Sequence, residues 1–483
     1  MGSKLKNLLK EKPRFLSSSP LIFPFGLSAL VIFAATFTLA LSFGTLPQEV
    51  PLLFTTSQAL TSKSLLFAVP ALSVFFVVVD AIAAEVLLRR GEKAAAVFPA
   101  FLGLFVSSIL SGSLFRIVRV FPISPLPFER LLYPLLLPLA VSITLGLLLT
   151  YATILVARKL RLFDRPHGPY PKVRPIPRLG AIPIFLTFTM TALAFTPADR
   201  HLVAFLAGAA LITIIQTVDD VRPLPPLVQG AGHVLAALII VAGGGGVDFI
   251  RNPLSQWVGG PYIRLDAIEI PIALFGTTYH FTVLADLFTV LWVFALINVV
   301  DWIDGLDGLA AGVGTLAGAT IVLISFMAQT PATAVLGTIL VGTLLGFLPL
   351  NFYPAKIYLG GGAFLLGYLL AVLSIFSGAK TGTAILVLAI PIIDAAFVIY
   401  RRLRAGKSPF KGDKTHLHHR LLEAGFAHPH IVFLEWFVVL ALAVTAVALS
   451  GFAKFAAVAL VFAATLLANR LLLAHLESRA QKL

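Results

Sequence analysis

LVAFLAGAALITIIQTVDDVRPLPP, residues 202–226, is an apolar run of membrane-crossing length that breaks into two adjacent aspartates and a proline-rich turn. A charge at membrane depth costs several kcal/mol, so carboxylates gathered at a helix end need a chemical reason. Adjacent residues on a helix point about 100° apart, so Asp219 and Asp220 share one small ligand only if the helix ends there. Pro223, Pro225 and Pro226 supply that ending. The most economical reason for the pair is a metal-bound phosphate handled at the bilayer surface.

The rest of the chain repeats the apolar pattern. Of its 483 residues 58% are hydrophobic and 12% charged, with a mean hydropathy of +0.97. That mixture is an all-α polytopic membrane protein. Apolar windows predict spans at about 21–43, 64–88, 94–114, 131–157, 179–197, 201–218, 228–245, 283–300, 308–328, 332–350, 361–378, 381–400, 431–450 and 453–473. The first three form an extra N-terminal module over residues 1–125, in which Asp80 and Glu85 lie on one span. Residues 126–483 carry an eleven-helix core. The net charge of +14 does not imply a nucleic-acid partner. Lys and Arg sit in short loops between spans, where they orient the chain with those loops in the cytoplasm. With no cysteine, disulfides and thiolate metal sites are excluded.

That sidedness brings four polar segments to one face: the turn after Asp220, the stretch Asn298–Asp307, residues 351–362 and the loop 401–430. The external loop 246–282 contains GGPYIRLDAIEIPIALFG, whose alternation predicts a short hairpin.

Three motifs carry the chemistry. Beside the Asp219–Asp220 pair, NVVDWIDGLDGLA (298–310) places Asn298, Asp301 and Asp304 three residues apart, along one face of a helix end. Gly305 and Gly308 let the backbone approach a phosphate closely. Hard oxygen ligands of this kind suit Mg²⁺, which keeps water and binds substrate phosphates. The twelve-residue spacing and terminal Glu of an EF-hand are missing. The third motif is DKTHLHHR (413–420), with Lys414, His416, His418, His419 and Arg420. Three histidines without an evident fourth ligand fit zinc poorly. Imidazoles beside basic side chains suit a diphosphate.

These motifs, in this order and on this side, resemble the polyprenyl-phosphate N-acetylhexosamine-1-phosphate transferases, the glycosyltransferase 4 type. PIPRLGAIPI (175–184), NFYPAKI (351–357) and PIIDAAFVIYRRL (391–403) are similar to other landmarks of that family. The resemblance covers about residues 130–475. It implies transfer of a sugar 1-phosphate from a UDP-sugar to a membrane polyprenyl (undecaprenyl) phosphate. UMP is released, and the product opens a cell-envelope glycan pathway. The H-x-H-H form resembles the branch that uses simple UDP-N-acetylhexosamines. Residue by residue, it implies that Asp219 and Asp220 bind or activate the lipid phosphate and that Asp307 braces its loop. Asp220, Asn298, Asp301 and Asp304 would hold Mg²⁺ or Mn²⁺. Lys414, His416, His418, His419 and Arg420 would hold the nucleotide diphosphate, and the enzyme would be a homodimer. Direct attack by the lipid phosphate and a covalent aspartyl intermediate both remain open.

The chain departs from the family pattern at three places. Where the family has a metal-ligating aspartate, this chain reads Leu359-Gly360-Gly361-Gly362-Ala363, one residue shorter and without a carboxylate. The second asparagine of the N-x-x-N segment is Asp301, and the usual lysine and glutamine after the aspartate pair appear as Gln229 and His233. Either Asp301 restores the missing charge, or the chain is a catalytically impaired relative acting as a lipid- or nucleotide-binding scaffold. A transporter is the rival from another class, but it predicts polar groups strung through the spans.

Overall fold

The computed structural model describes residues 49–51, 60–62, 135–163, 175–252, 259–260, 262–274, 277–377, 385, 387–404, 406, 416–448 and 452–465. The three N-terminal spans, Asp80, Glu85 and Lys414 lie outside them. The chain divides into two compact units, Met1–Ser124 and Pro125–Leu483. In the first, β1 (Glu49–Pro51) pairs antiparallel with β2 (Leu60–Ser62).

The second unit is a helical bundle. Its elements begin with α1 (Leu137–Leu160), α2 (Ala181–Phe195), α3 (Arg200–Val221) and α4 (Pro226–Ala242). Two ribbons follow, β3 (Phe249–Arg251) with β4 (Tyr262–Arg264) and β5 (Glu269–Leu274) with β6 (Thr277–Thr282). Then come α5 (Val283–Trp302), α6 (Leu309–Met327), α7 (Pro331–Asn351), α8 (Gly362–Phe376), α9 (Ala389–Arg404), the short α10 (Leu417–Glu423) and α11 (His428–Ala448). The final helix is α12 (Phe452–Thr465). Each of the eleven predicted core spans overlaps one of these helices over the described residues. Among the described residues, six are long and apolar enough to cross a membrane, and α2, α4, α8 and α12 are shorter apolar helices. The protein is an all-α polytopic membrane protein.

One sequence expectation changes. The external stretch does not fold into a hairpin of its own: Tyr262–Arg264 pairs back to Phe249–Arg251, whereas Glu269–Leu274 pairs forward to Thr277–Thr282. The two-residue connection at 275–276 lets β5 and β6 pair over their full length, and that local closure wins.

Local chemistry marks the helix ends. Asp199 caps α3 by accepting from the Leu202 N–H at 2.8 Å. Proline sits in the first turn of α4 and α7, where its missing N–H costs nothing. Gly308 precedes α6 at φ +82°, a conformation that L side chains rarely adopt. α1 packs on α7, and α5 on α8. The Tyr368 hydroxyl of α8 donates to the Phe205 carbonyl of α3 at 3.1 Å. Phe188 meets Phe205 edge-on at 5.5 Å. The core therefore fixes α3 against α8, and with them the two ends that carry Asp220 and Gly361.

Candidate active site

The polar motifs meet where α3, α5 and α7 end and where α8 and α10 begin. The helix α3 runs through Val221, so its two aspartates stay about 100° apart and take different partners. Asp219 Oδ1 accepts from the Leu224 N–H at 2.7 Å and from Gln229 Nε2 at 2.9 Å, which clips the proline turn onto α4. Asp220 turns inward. Its Oδ1 lies 3.2 Å from Arg178 Nε, and its Oδ2 accepts from the Gly361 N–H at 2.9 Å. The Asp220 side chain is 2% exposed and that of Arg178 45%. The two departures downstream of the pair both serve α3: besides Gln229, His233 Nε2 lies 2.9 Å from Gln216 Nε2.

The second motif closes the same end. Asn298 Nδ2 donates to the Phe294 carbonyl of its own helix at 2.7 Å. Asp301 lies in the last turn of α5, and Asp304 lies in the turn beyond it. Asp307 Oδ2 accepts from the Ala355 N–H at 3.1 Å, which ties this turn to the 351–361 segment. The Arg178 charge attracts Asp220, Asp301 and Asp304 alike, and Asp304 also feels Asp307. Burial, and then the charge of Asp301, hold the Asp304 carboxyl well above the usual carboxylate range.

The histidine loop is anchored by a residue that the motif reading passed over. Asp394 on α9 is buried. Its Oδ2 lies 2.8 Å from His416 Nδ1, and its Oδ1 accepts from the Leu417 N–H at 3.1 Å. A carboxylate only accepts, so Nδ1 carries the proton and the ring is held in one orientation. The His416 and His418 rings lie parallel, 5.9 Å apart, and His419 is 4.3 Å beyond His418. His418 Nε2 is buried without a hydrogen-bond partner, and a Cβ on Gly305 would collide with it. Arg420 is buried, its guanidinium 5.5 Å over the Phe397 ring.

The structure thus brings together Asp219, Asp220, Asn298, Asp301, Asp304, Asp307, His416, His418 and His419. It adds Arg178 and Asp394, which the motif reading had not singled out. A carboxylate inside the apolar stretch PIIDAAF was the available signal for Asp394. For Arg178 the available signal was its place in the run PIPRLGAIPI, which does not reveal its partner because that partner is remote in sequence.

The implied Mg²⁺ or Mn²⁺ is a poor fit to this arrangement. Both Asp220 oxygens are engaged, and Gly361 contributes only an amide. Among the described residues, no group of three or more His, Asp or Glu side chains is arranged to hold a metal ion.

His418 makes the site sensitive to acid. Burial, and then the charges of His419 and His416, hold its ring well below the ordinary imidazole value of about 6.5. A depressed pKa in the folded state means that stability is present above pH ~6.5 and is lost as pH falls below it. The expected result is an unfolding midpoint that falls between about pH 6.5 and 5, with His418→Gln flattening that slope. An equal slope in the variant would sink the assignment.

A membrane bundle that gathers carboxylates, a guanidinium and imidazoles at one face of its helices defines a membrane phosphotransferase. Comparison with known proteins places it more closely. The profile of glycosyl transferase family 4 matches residues 202–378. The chain is 29% identical over 320 residues to a probable undecaprenyl-phosphate N-acetylglucosaminyl 1-phosphate transferase of Bacillus subtilis (strain 168), covering 64% of this chain and 84% of that protein. It is 30% identical over 334 residues to decaprenyl-phosphate N-acetylglucosaminephosphotransferase of Mycobacterium leprae (strain TN), covering 61% and 79%. A third relative is the undecaprenyl-phosphate alpha-N-acetylglucosaminyl 1-phosphate transferase of Yersinia pestis, 26% identical over 309 residues, covering 61% and 78%. The chain belongs to glycosyl transferase family 4, the group that its motifs resemble.

Proposed function

We propose that this chain transfers N-acetylhexosamine 1-phosphate, in the first instance N-acetylglucosamine 1-phosphate, from a UDP-sugar to a polyprenyl phosphate. The carrying observation is the convergence of the Asp220, Asn298–Asp307, 351–361 and 416–419 segments on one end of the bundle. Arg158, Lys159 and Arg161 at the end of α1 and Arg401, Arg402 and Arg404 at the end of α9 share that sidedness in the sequence. The excess of basic residues supports a cytoplasmic site in the cell membrane.

An oxygen of the lipid phosphate attacks the β-phosphorus of the UDP-sugar. The bond from that phosphorus to the bridging oxygen breaks, UMP leaves with the oxygen and its electron pair, and a polyprenyl-diphosphate sugar remains. A lipid phosphate is already ionised near neutral pH, so positioning and charge neutralisation dominate over general-base help. Arg178 and Asp220 form the lipid-phosphate end. His416, fixed by Asp394, and His419 form the nucleotide end, beside the diphosphate oxygens. Neutral His418 sets the spacing between the histidine loop and Gly305.

The test is direct: purified protein in lipid, radiolabelled UDP-N-acetylglucosamine and undecaprenyl phosphate, with the lipid-linked product extracted into organic solvent. Product formation with release of UMP is expected. The absence of a carboxylate at Gly361 favours a second reading, a scaffold that binds nucleotide and lipid. No product with any UDP-N-acetylhexosamine, together with retained UDP binding, would establish it. Within the transferase reading, Asp394→Asn is expected to raise KM for the UDP-sugar about tenfold by loosening His416, with a smaller effect on kcat. A change confined to kcat would contradict the placement of His416 at the nucleotide end.

A further inference from the structure

We infer that Arg178 is the fixed cation of the Asp220 corner, standing where a divalent metal would otherwise be held, and that it receives a phosphate monoester there. This deepens the transferase reading and rests on it for the identity of the phosphate.

The backbone around the corner is built for the guanidinium. The Tyr358 N–H donates to the Pro177 carbonyl at 2.9 Å, joining the 175–180 segment to the glycine run. At Gly180 a Cβ would lie 2.6 Å from the Leu359 carbonyl oxygen, so the two strands of chain touch. Gly360 has φ +55°, and a Cβ there would lie 2.5 Å from Arg178 Cγ and 2.9 Å from Asp220 Oδ2. A Cβ on Gly361 would lie 2.5 Å from Gln216 Cβ and 3.1 Å from Asp220 Oδ2. A carboxylate at either position has no room unless Arg178 or α3 moves. The missing aspartate and the seated arginine are therefore two sides of one arrangement.

Charge points the same way. Arg178 attracts Asp220, Asp301 and Asp304, the three carboxylates that would otherwise call for a metal ion. Its side chain is half-exposed whereas that of Asp220 is sealed behind it. The planar guanidinium fork matches phosphate oxygens, and a carboxylate at its back holds the fork in one orientation. On this assignment Asp220 positions Arg178, and Arg178 touches the substrate.

The experiment uses the full chain in detergent micelles and has two independent arms. In the first, Mn²⁺ binding is followed by electron paramagnetic resonance. Asp220→Asn is expected to leave the Mn²⁺ affinity within twofold of the parent, while Arg178→Ala, which uncovers the carboxylates, tightens it at least tenfold. A tenfold weakening in Asp220→Asn, or no tightening in a folded Arg178→Ala, overturns the proposal. If Arg178→Ala does not fold, Asp220→Asn alone decides. In the second arm, farnesyl phosphate, UMP and inorganic phosphate are titrated in the presence of EDTA. Farnesyl phosphate is expected to bind Arg178→Ala at least tenfold more weakly than the parent and Arg178→Lys in between, because an ammonium keeps the charge but not the fork, with UMP unaffected. Weakening of UMP alone would move the arginine to the nucleotide and overturn the phosphate assignment. If farnesyl phosphate binds no form of the protein, the transferase reading fails, and the Mn²⁺ arm still decides what faces Asp220.

Discussion

Asp220→Asn is expected to lower sugar-phosphate transfer by about 10²-fold or more, while the protein remains folded. The amide keeps an oxygen to accept the Gly361 N–H but gives up the charge that holds Arg178 in place. Because the guanidinium is half-exposed, the pair contributes at most about 1 kcal/mol to stability, so the unfolding midpoint is expected to move little. Asp219→Asn is the matched control. Asp219 accepts from the Leu224 N–H and from Gln229, both contacts that an amide oxygen can keep, so its loss is expected to stay under about tenfold. Initial rates for both variants, measured with the same lipid and UDP-sugar, decide the matter. Equal losses would mean that the pair acts as one unit and that the divergence of its partners is irrelevant to transfer.

Gly305→Ala is expected to reduce transfer about 10²-fold through a single added carbon. Its Cβ would collide with His418 Nε2, and that ring cannot retreat freely because it is buried and packed against both His416 and His419. The histidine loop must move away from the Asn298–Asp307 turn, which separates the nucleotide end from the lipid end. In Gly305→Ala/His418→Ala the collision disappears, so the double variant is expected to transfer no worse than His418→Ala alone. Additive losses would show that Gly305 is needed for its backbone rather than for its closeness to the imidazole. Gly305→Ala retaining more than a third of the parent rate would refute the contact altogether.

These two residues show how much of the site was legible. The acidic pair, the NVVDWIDGLDGLA turn and the histidine triplet each announced polar chemistry, because charges at the ends of apolar spans stand out against their surroundings. Their division of labour did not. Asp219 and Asp220 read as equals, yet one secures a turn five residues ahead and the other reaches a glycine 141 residues away. Arg178 read only as one residue of the landmark run PIPRLGAIPI, with no role of its own. Asp394 read as a landmark, and only its contact with His416, 22 residues on, shows it holding a ring in place. The external alternation indicated strands but mispaired them, since period-two patterning says nothing about which neighbour a strand will choose.

The sequence by itself determined the core spans, the membrane class and the family. Transfer of apolar side chains out of water depends on composition within some twenty residues, and motif spacing is local by nature. Only the tertiary structure decided what faces Asp220. That choice depends on α3 and α8 being held together by Tyr368 and Phe205, and on a glycine run thin enough for Arg178 to reach the carboxylate. An electrostatic partner is set by distances of a few ångströms, and those distances exist only once the helices have packed.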